Sequence, residues 1–398
     1  MPLSPREQAE RARLSSTGQR SARIASGLAS SWPPFLAWLV ATTVIVVTCI
    51  AEGWPPLDAN RTWVRWDAAL YLSIARGGYT LTPCGPGLWC GNAGWFPGYP
   101  WLVGGLHLLA LPLAPTGLAV AWLAWLATLV LVWRAFLSHR PLAEGVIPLA
   151  YAAFAPGLVY DYALFPLSLL SLCTVAALAL MQRHRWLAAG LAAAIGTLAY
   201  PVGAALAPAA ALWLLARRGV PLAERLRRVA ACAGPSAVAL ALFTLDQQLE
   251  TGHWDAYLLV QRKYGHAIQD PFAVVAAAVG TLVHGSAVQL APGAPVHAIA
   301  PALQTLLVAF VLTCILTELA LHRHSATEID ALIAIWAVTA WLSSHAAANV
   351  STYRSEAALA PIALLLRRLP RPLAAVIAAG AVLLVVPMTR LYLSTLLF

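Results

Sequence analysis

The sequence predicts an all-α protein that crosses a membrane many times. Its composition, 60% hydrophobic and 10% charged residues with a mean hydropathy of +0.74, excludes an ordinary soluble domain. Long apolar runs recur along the chain, and the basic residues collect between them. A helical span takes about 20 apolar residues. Runs at 33–51, 118–133, 162–181, 229–245, 300–321, 331–348 and 372–389 qualify or nearly so. Shorter apolar segments at 98–113, 142–158, 186–200, 202–216 and 356–366 raise the expected total to about 11–13 crossings. Hydrocarbon offers no partner to open backbone groups, so these segments are expected to be helices.

The net charge of +9 could suggest nucleic acid, but its placement between spans fits membrane topology better. Residues 1–30, with Arg6, Arg11, Arg13, Arg20 and Arg23, read as a flexible cytoplasmic tail. They are too long and polar for a cleaved signal peptide. Residues 31–398 read as one transmembrane domain. The positive-inside trend puts 134–140, 183–185, 217–228, 322–323 and 367–371 in the cytoplasm. Segments 52–96, 160–161, 200–201, 247–298 and 349–356 then face outward. Region 247–298, with Pro/Gly-rich stretches, reads as re-entrant or interfacial. Residues 97–133 resist: two full crossings there would put 134–140 outside, so either one segment only dips or that loop breaks the rule.

The outer loop 52–96 holds Glu52, Asp58 and Asp67 in a chain with only 16 acids in 398 residues. Charges beside hydrocarbon tend to be kept for function. Trp63, Trp66, Leu70, Ile74 and Ala75 recur at helical spacing, predicting a helix over 62–76 lying on the membrane surface. Asp67 would sit in its first turn, as a dipole-stabilising charge or as a reactive group. Lys263, the sole lysine, adjoins Arg262 in an outer loop. The pair either meets an anion or snorkels to headgroups. Arg354, between Tyr353 and Glu356, is a second anion candidate or a salt-bridge partner of Glu356. Asp161, between two tyrosines, is a structural acceptor or a ligand-binding group. Cys84 and Cys90 share the first loop, and a disulfide between them depends on an oxidising compartment. The other four cysteines lie in apolar runs and read as packing. No histidine stands at metal-ligand spacing from Glu52 and Asp58, so no metal or cofactor is expected.

Arg65-Trp66-Asp67, Tyr71, Ile74-Ala75 and Gly78-Tyr79, followed by Trp95-Phe96-Pro97 and Tyr99-Pro100, resemble the first-loop signature of PIG-V-type mannosyltransferases. Those belong to the GT-C class of integral membrane glycosyltransferases. Tyr160-Asp161-Tyr162-Ala163-Leu164-Phe165, Arg185-Trp186-Leu187 through Pro201-Val202-Gly203, and Gly252-His253-Trp254-Asp255 through Gln261 and Tyr264-Gly265 are similar to later stretches of that family. The resemblance implies a GT-C fold and an inverting transfer of mannose, or another hexose, from a polyprenyl-phosphate donor. Asp67 would be the general base on the extracytoplasmic face. The leaving phosphate needs cationic partners, and Arg262, Lys263 and Arg354 are the candidates by charge and outer placement. The acceptor, a glycolipid, glycan or protein, would contact Glu52, Asp58, Trp66, Tyr71, Asp161, Tyr200, His253 and Trp254. Two departures stand out: relatives more often carry Glu near Asp161, and Arg in place of Tyr200. A transporter of lipid-linked glycans and a non-catalytic partner of another transferase are the competing readings. Most of the 16 tryptophans fall at span ends, as an aromatic belt would. Arginine over lysine, with much Ala and Leu, suggests a GC-rich bacterial gene and a plasma-membrane location.

Overall fold

The computed structural model describes residues 32–264, 268–284, 295–347 and 352–394. The predicted cytoplasmic tail lies outside the described residues. Helix α1 (Trp32–Ala51) shows how the membrane sequence is used. Ala41, Ile45 and Cys49, four residues apart, are fully buried, while Phe35, Leu39, Val47 and Ile50 point outward. The hydroxyls of Thr42, Thr43 and Thr48 donate to carbonyls one turn back, so these three groups are satisfied within the helix.

After α1 the first loop forms a π-helical turn (Ala59–Trp63), α2 (Ala68–Gly77) and an antiparallel hairpin of β1 (Leu81–Gly85) and β2 (Leu88–Gly91). Then follow α3 (Gly98–His107), α4 (Leu113–Val132), α5 (Leu142–Ala153), the short α6 (Val159–Tyr162), α7 (Leu167–Gln182) and α8 (Trp186–Ala199). A 3₁₀ turn (Pro201–Ala205) leads into α9 (Leu206–Leu215), α10 (Leu222–Thr251), α11 (Ala256–Arg262), α12 (Ala273–His284), α13 (Pro295–Leu321) and α14 (Glu328–Ala347). The chain ends with α15 (Thr352–Ala357), a 3₁₀ segment (Ala360–Arg368) and α16 (Arg371–Leu393). Among the described residues, six helices are long and apolar enough to cross a membrane, and five more are apolar but shorter. The remaining predicted crossings therefore fall on short helices.

The bundle is built on close helix pairs. α8 packs against α7 and α10, α4 against α7, and α13 against α16. At Gly190 of α8 a Cβ would stand 2.2 Å from the Ala231 carbonyl oxygen, so only glycine lets α8 and α10 touch there.

The two segments of 97–133 differ in length. The ten residues of α3 span about 15 Å, half a hydrocarbon core, whereas the helix running from Leu113 to Leu137 is long enough to cross. Only the second segment is long enough by itself to cross, and 134–140 follows the end of α4 opposite the first loop. That end carries an ion-pair network: Arg140 and Arg371 meet Glu144 at 3.6 and 3.2 Å, Arg217 pairs with Glu328, and Arg367 and Arg368 pair with Asp330.

The helix predicted over 62–76 is broken. Its two parts flank Trp66, whose φ of +54° lies in the left-handed region, and the helix restarts only at Ala68. Its apolar face is not laid on the membrane surface. Ala68, Tyr71, Leu72 and Ile74 are buried within the protein, with Tyr71 edge-on to Tyr99 and Phe165.

Asp330 is 1% exposed and also accepts from the Thr327 amide and hydroxyl at the start of α14. Asp330→Ala strands Arg367 in the interior and is expected to cost about 3–5 kcal/mol. Thermal unfolding in detergent should show a clear drop in midpoint, and an unchanged midpoint would contradict the network's role.

Candidate functional site

Asp67 opens α2 at the N-cap position, yet its carboxylate makes no capping hydrogen bond. It pairs instead with the Arg354 guanidinium, from a residue 287 positions later in the chain. The Asp67 side chain keeps 25% of its exposure and that of Arg354 only 10%, so the acid is the open member of the pair.

Arg354 projects from α15 into a ring of aromatics. Its guanidinium lies 5.8 Å from the Tyr160 ring centre and 5.5 Å from that of Phe165. Tyr160 stacks on Tyr353 and meets Tyr392 edge-on. Burial works against the arginine's charge, but Asp67 and the phenols of Tyr160, Tyr353 and Tyr200 outweigh it, so its pKa is raised well above the ordinary value. The Tyr200 phenol lies within electrostatic reach of Arg354 and Asp67. Trp66 donates its indole N–H to the Tyr392 carbonyl at 3.4 Å, and the Tyr392 hydroxyl donates to the Trp63 carbonyl at 3.2 Å. The left-handed turn at Trp66 is thereby tied to the last helix, next to the carboxylate it presents.

A second wall comes from the hairpin and α11. Asn92 binds Ser73 and the Gly78 carbonyl, fastening the hairpin to α2. Gln247 and Gln261 donate to the Ala93 and Gly94 carbonyls, both at 2.6 Å. Cys84 and Cys90 are joined by a disulfide, which the sequence left open. Lys263 extends its Nζ to 3.4 Å from the Cys90 sulfur and lies over the Tyr264 ring. Desolvation raises the Tyr264 pKa, with a further contribution from the Asp67 charge, so this wall lies within electrostatic reach of the carboxylate.

Of the residues singled out from sequence, Asp67, Trp66, Tyr71, Tyr200 and Arg354 come together, with Lys263 at the rim and Arg262 exposed beside it. Others do not join them. Glu52 pairs with Arg390 at 2.7 Å. Asp58 caps the π-helical turn by accepting from the Arg61 amide at 3.0 Å. His253 packs on Trp89 and Trp254 is largely exposed, both beyond the hairpin. The alternative Arg354–Glu356 salt bridge is not formed, because the two side chains leave α15 towards different neighbours. Asp161 is fully buried and, among the described residues, neither carboxylate oxygen has a hydrogen-bond partner, so burial pushes its pKa well up. Sequence reasoning missed Tyr392 and gave Trp63 and Phe165 no place in the site, although both stood in its patterns. Tyr392 in particular reads as a belt aromatic at the end of an apolar run. Among the described residues no group of three metal-ligating side chains is gathered.

No protein-family model matches this sequence, and no curated protein matches it. Solved structures do. ArnT from Cupriavidus metallidurans, bound to undecaprenyl phosphate, superposes with a TM-score of 0.51 at 16% identity, covering 85% of this chain and 60% of its own. The apo oligosaccharyltransferase of Archaeoglobus fulgidus agrees less closely, with a TM-score of 0.49 at 14% identity over 89% of this chain and 56% of its own. The chain thus spans about 60% of the length of the ArnT structure. Its fold is that of the GT-C glycosyltransferases.

Asp161 yields a pH test. A carboxyl whose folded pKa is raised contributes most to stability below its unfolded value and loses that contribution as pH rises towards the folded one. Asp161→Asn does not titrate there, so its melting midpoint relative to wild type should rise between about pH 4 and pH 8. A difference constant across that range would contradict the buried, protonated state.

Proposed function

We propose that this protein is an inverting glycosyltransferase that moves mannose, or another hexose, from a polyprenyl-phosphate donor to a hydroxyl acceptor, with Asp67 as general base. The observation that carries this is the Asp67–Arg354 pair: an open carboxylate beside a nearly closed cation, lined by aromatic rings. The GT-C fold and the first-loop resemblance to PIG-V-type mannosyltransferases support the reading.

The two charges divide the work. A phosphodiester donor brings an anion that competes with Asp67 for the Arg354 guanidinium, whose planar fork suits phosphate. Once Arg354 turns to the phosphate, Asp67 is free to take a proton. The acceptor O–H proton passes to an Asp67 oxygen as the acceptor oxygen bonds the anomeric carbon from the far side. The bond from that carbon to the phosphate oxygen breaks with its electron pair, and polyprenyl phosphate leaves with the added charge. Arg354 stabilises that charge, and Lys263 at the rim adds a second cation. Tyr200 stands where the resemblance places an arginine; here Arg354 brings the cation from another helix, within electrostatic reach of the Tyr200 phenol. The aromatic lining keeps water away from the anomeric carbon. The site opens at the end of the bundle opposite the arginine-rich network, which by the positive-inside trend is extracytoplasmic. The arginine-over-lysine, alanine- and leucine-rich composition supports a plasma-membrane location.

Radiolabelled polyprenyl-phosphate mannose, supplied to membranes holding the protein, tests this. Asp67→Asn should lower transfer about 10²–10⁴-fold while the protein remains folded. Equal transfer by wild type and variant removes Asp67 as the base.

A further inference from the structure

Behind Arg354, the short helix α15 carries an acid that the proposed reaction does not use. Glu356 is 1% exposed and meets groups from two other helices. One carboxylate oxygen accepts from the Gln304 amide of α13 at 2.9 Å, and the same amide donates to the Tyr353 carbonyl, also at 2.9 Å. The other oxygen lies 3.4 Å from Nε2 of His345 on α14, a ring with no exposure, and among the described residues neither of these two atoms makes a hydrogen bond. The Tyr151 phenol of α5 interacts electrostatically with the same carboxyl, while Arg354 is turned away to Asp67.

The proton count follows from geometry. His345 stacks on Trp341, with its Nδ1 at 2.9 Å from the Trp341 carbonyl oxygen. That oxygen can only accept, and the Ser344 Oγ, 3.1 Å from the same Nδ1, can accept or donate, so a hydrogen on Nδ1 satisfies both contacts. The Ser344 hydroxyl serves the same carbonyl at 3.0 Å. In a neutral ring Nε2 is then a bare lone pair, and an ionised Glu356 would set a second lone pair against it in a dry interior. A single proton between them turns the contact attractive, whether it resides on the imidazolium or on the carboxylic acid.

We propose that His345, Glu356 and Gln304 form a clamp holding one shared proton, which seats α15 and so positions Arg354 against Asp67. They are positioning residues, and the proposal rests on the reading of Asp67 and Arg354 as the reacting pair. Six residues are too few for a helix to hold itself. On its other side α15 lies on Gly157, where φ is +79° and a Cβ would stand 2.7 Å from that of Ala357. The backbone that carries Arg354 is thus pinned between that glycine and the clamp.

The test combines a spectroscopic signature with rescue by a conservative variant. In ¹⁵N-histidine-labelled protein in lipid nanodiscs, with His345 assigned by its loss in His345→Gln, nuclear magnetic resonance should show Nδ1 protonated. Glu356→Gln, whose new amide can donate to Nε2, should give a neutral ring with Nδ1–H and keep kcat within about threefold of wild type. Glu356→Ala, measured per folded protein, should lower kcat about 10–100-fold while changing KM for the lipid donor less. A wild-type neutral ring with its hydrogen on Nε2 overturns the clamp, as does Glu356→Ala with wild-type kcat. The signature needs no turnover. Wild-type protein that transfers no sugar therefore sinks the functional reading, and a missing Nδ1 hydrogen sinks the clamp.

Discussion

The ion pair between Asp67 and Arg354 is the interaction on which the site depends. It joins the first loop to a helix near the end of the chain, across 287 positions. Removing either partner from such a poorly solvated place leaves a stranded charge, so both backbones must be held. On the Asp67 side, the left-handed turn at Trp66, the Trp66 bond to Tyr392 and the packing of α2 against Tyr99 and Phe165 provide the hold. On the Arg354 side, the aromatic ring and the seat of α15 provide it.

The two ends of the bundle use charge differently. At the arginine-rich end, acids and bases are paired with each other: Glu144 with Arg140 and Arg371, Asp330 with Arg367 and Arg368, Glu328 with Arg217. Such pairing fastens helix ends, with Asp330 and Arg367 buried and the Glu144 and Glu328 pairs partly exposed. At the other end Glu52 and Arg390 form a comparable clasp, but Asp67 remains partly open. Openness at a cost in stability is what a reacting group requires, and the surrounding rings limit that cost by excluding water from all but one side.

Much of the architecture was legible because lipid imposes simple rules. Apolar runs gave the helices, and basic loops marked one end of the bundle. The short α3 was foreshadowed by the conflict between two crossings and the charge of 134–140. The local shape of the first loop was not legible. Trp63, Trp66 and Ile74 have helical spacing, but a period shows neither the left-handed turn at Trp66 nor whether the apolar face meets lipid or protein. Asp67 was legible as a special acid; its partner was not, because a pair so distant in sequence leaves no spacing signal. Adjacency misled in the opposite way at Arg354 and Glu356: residues two apart leave a helix on different sides, and each found its partner on another element. Glu52 and Asp58 turned out to serve structure through an arginine clasp and a cap.

The account's central claim is that Arg354 exchanges Asp67 for a lipid phosphate. A cryo-electron-microscopy reconstruction in nanodiscs with bound polyprenyl phosphate tests it most directly. The expected density places the phosphate within hydrogen-bond distance of the Arg354 guanidinium, with Asp67 released and facing the cavity. Phosphate density lodged elsewhere, with the Asp67–Arg354 pair intact, would contradict it.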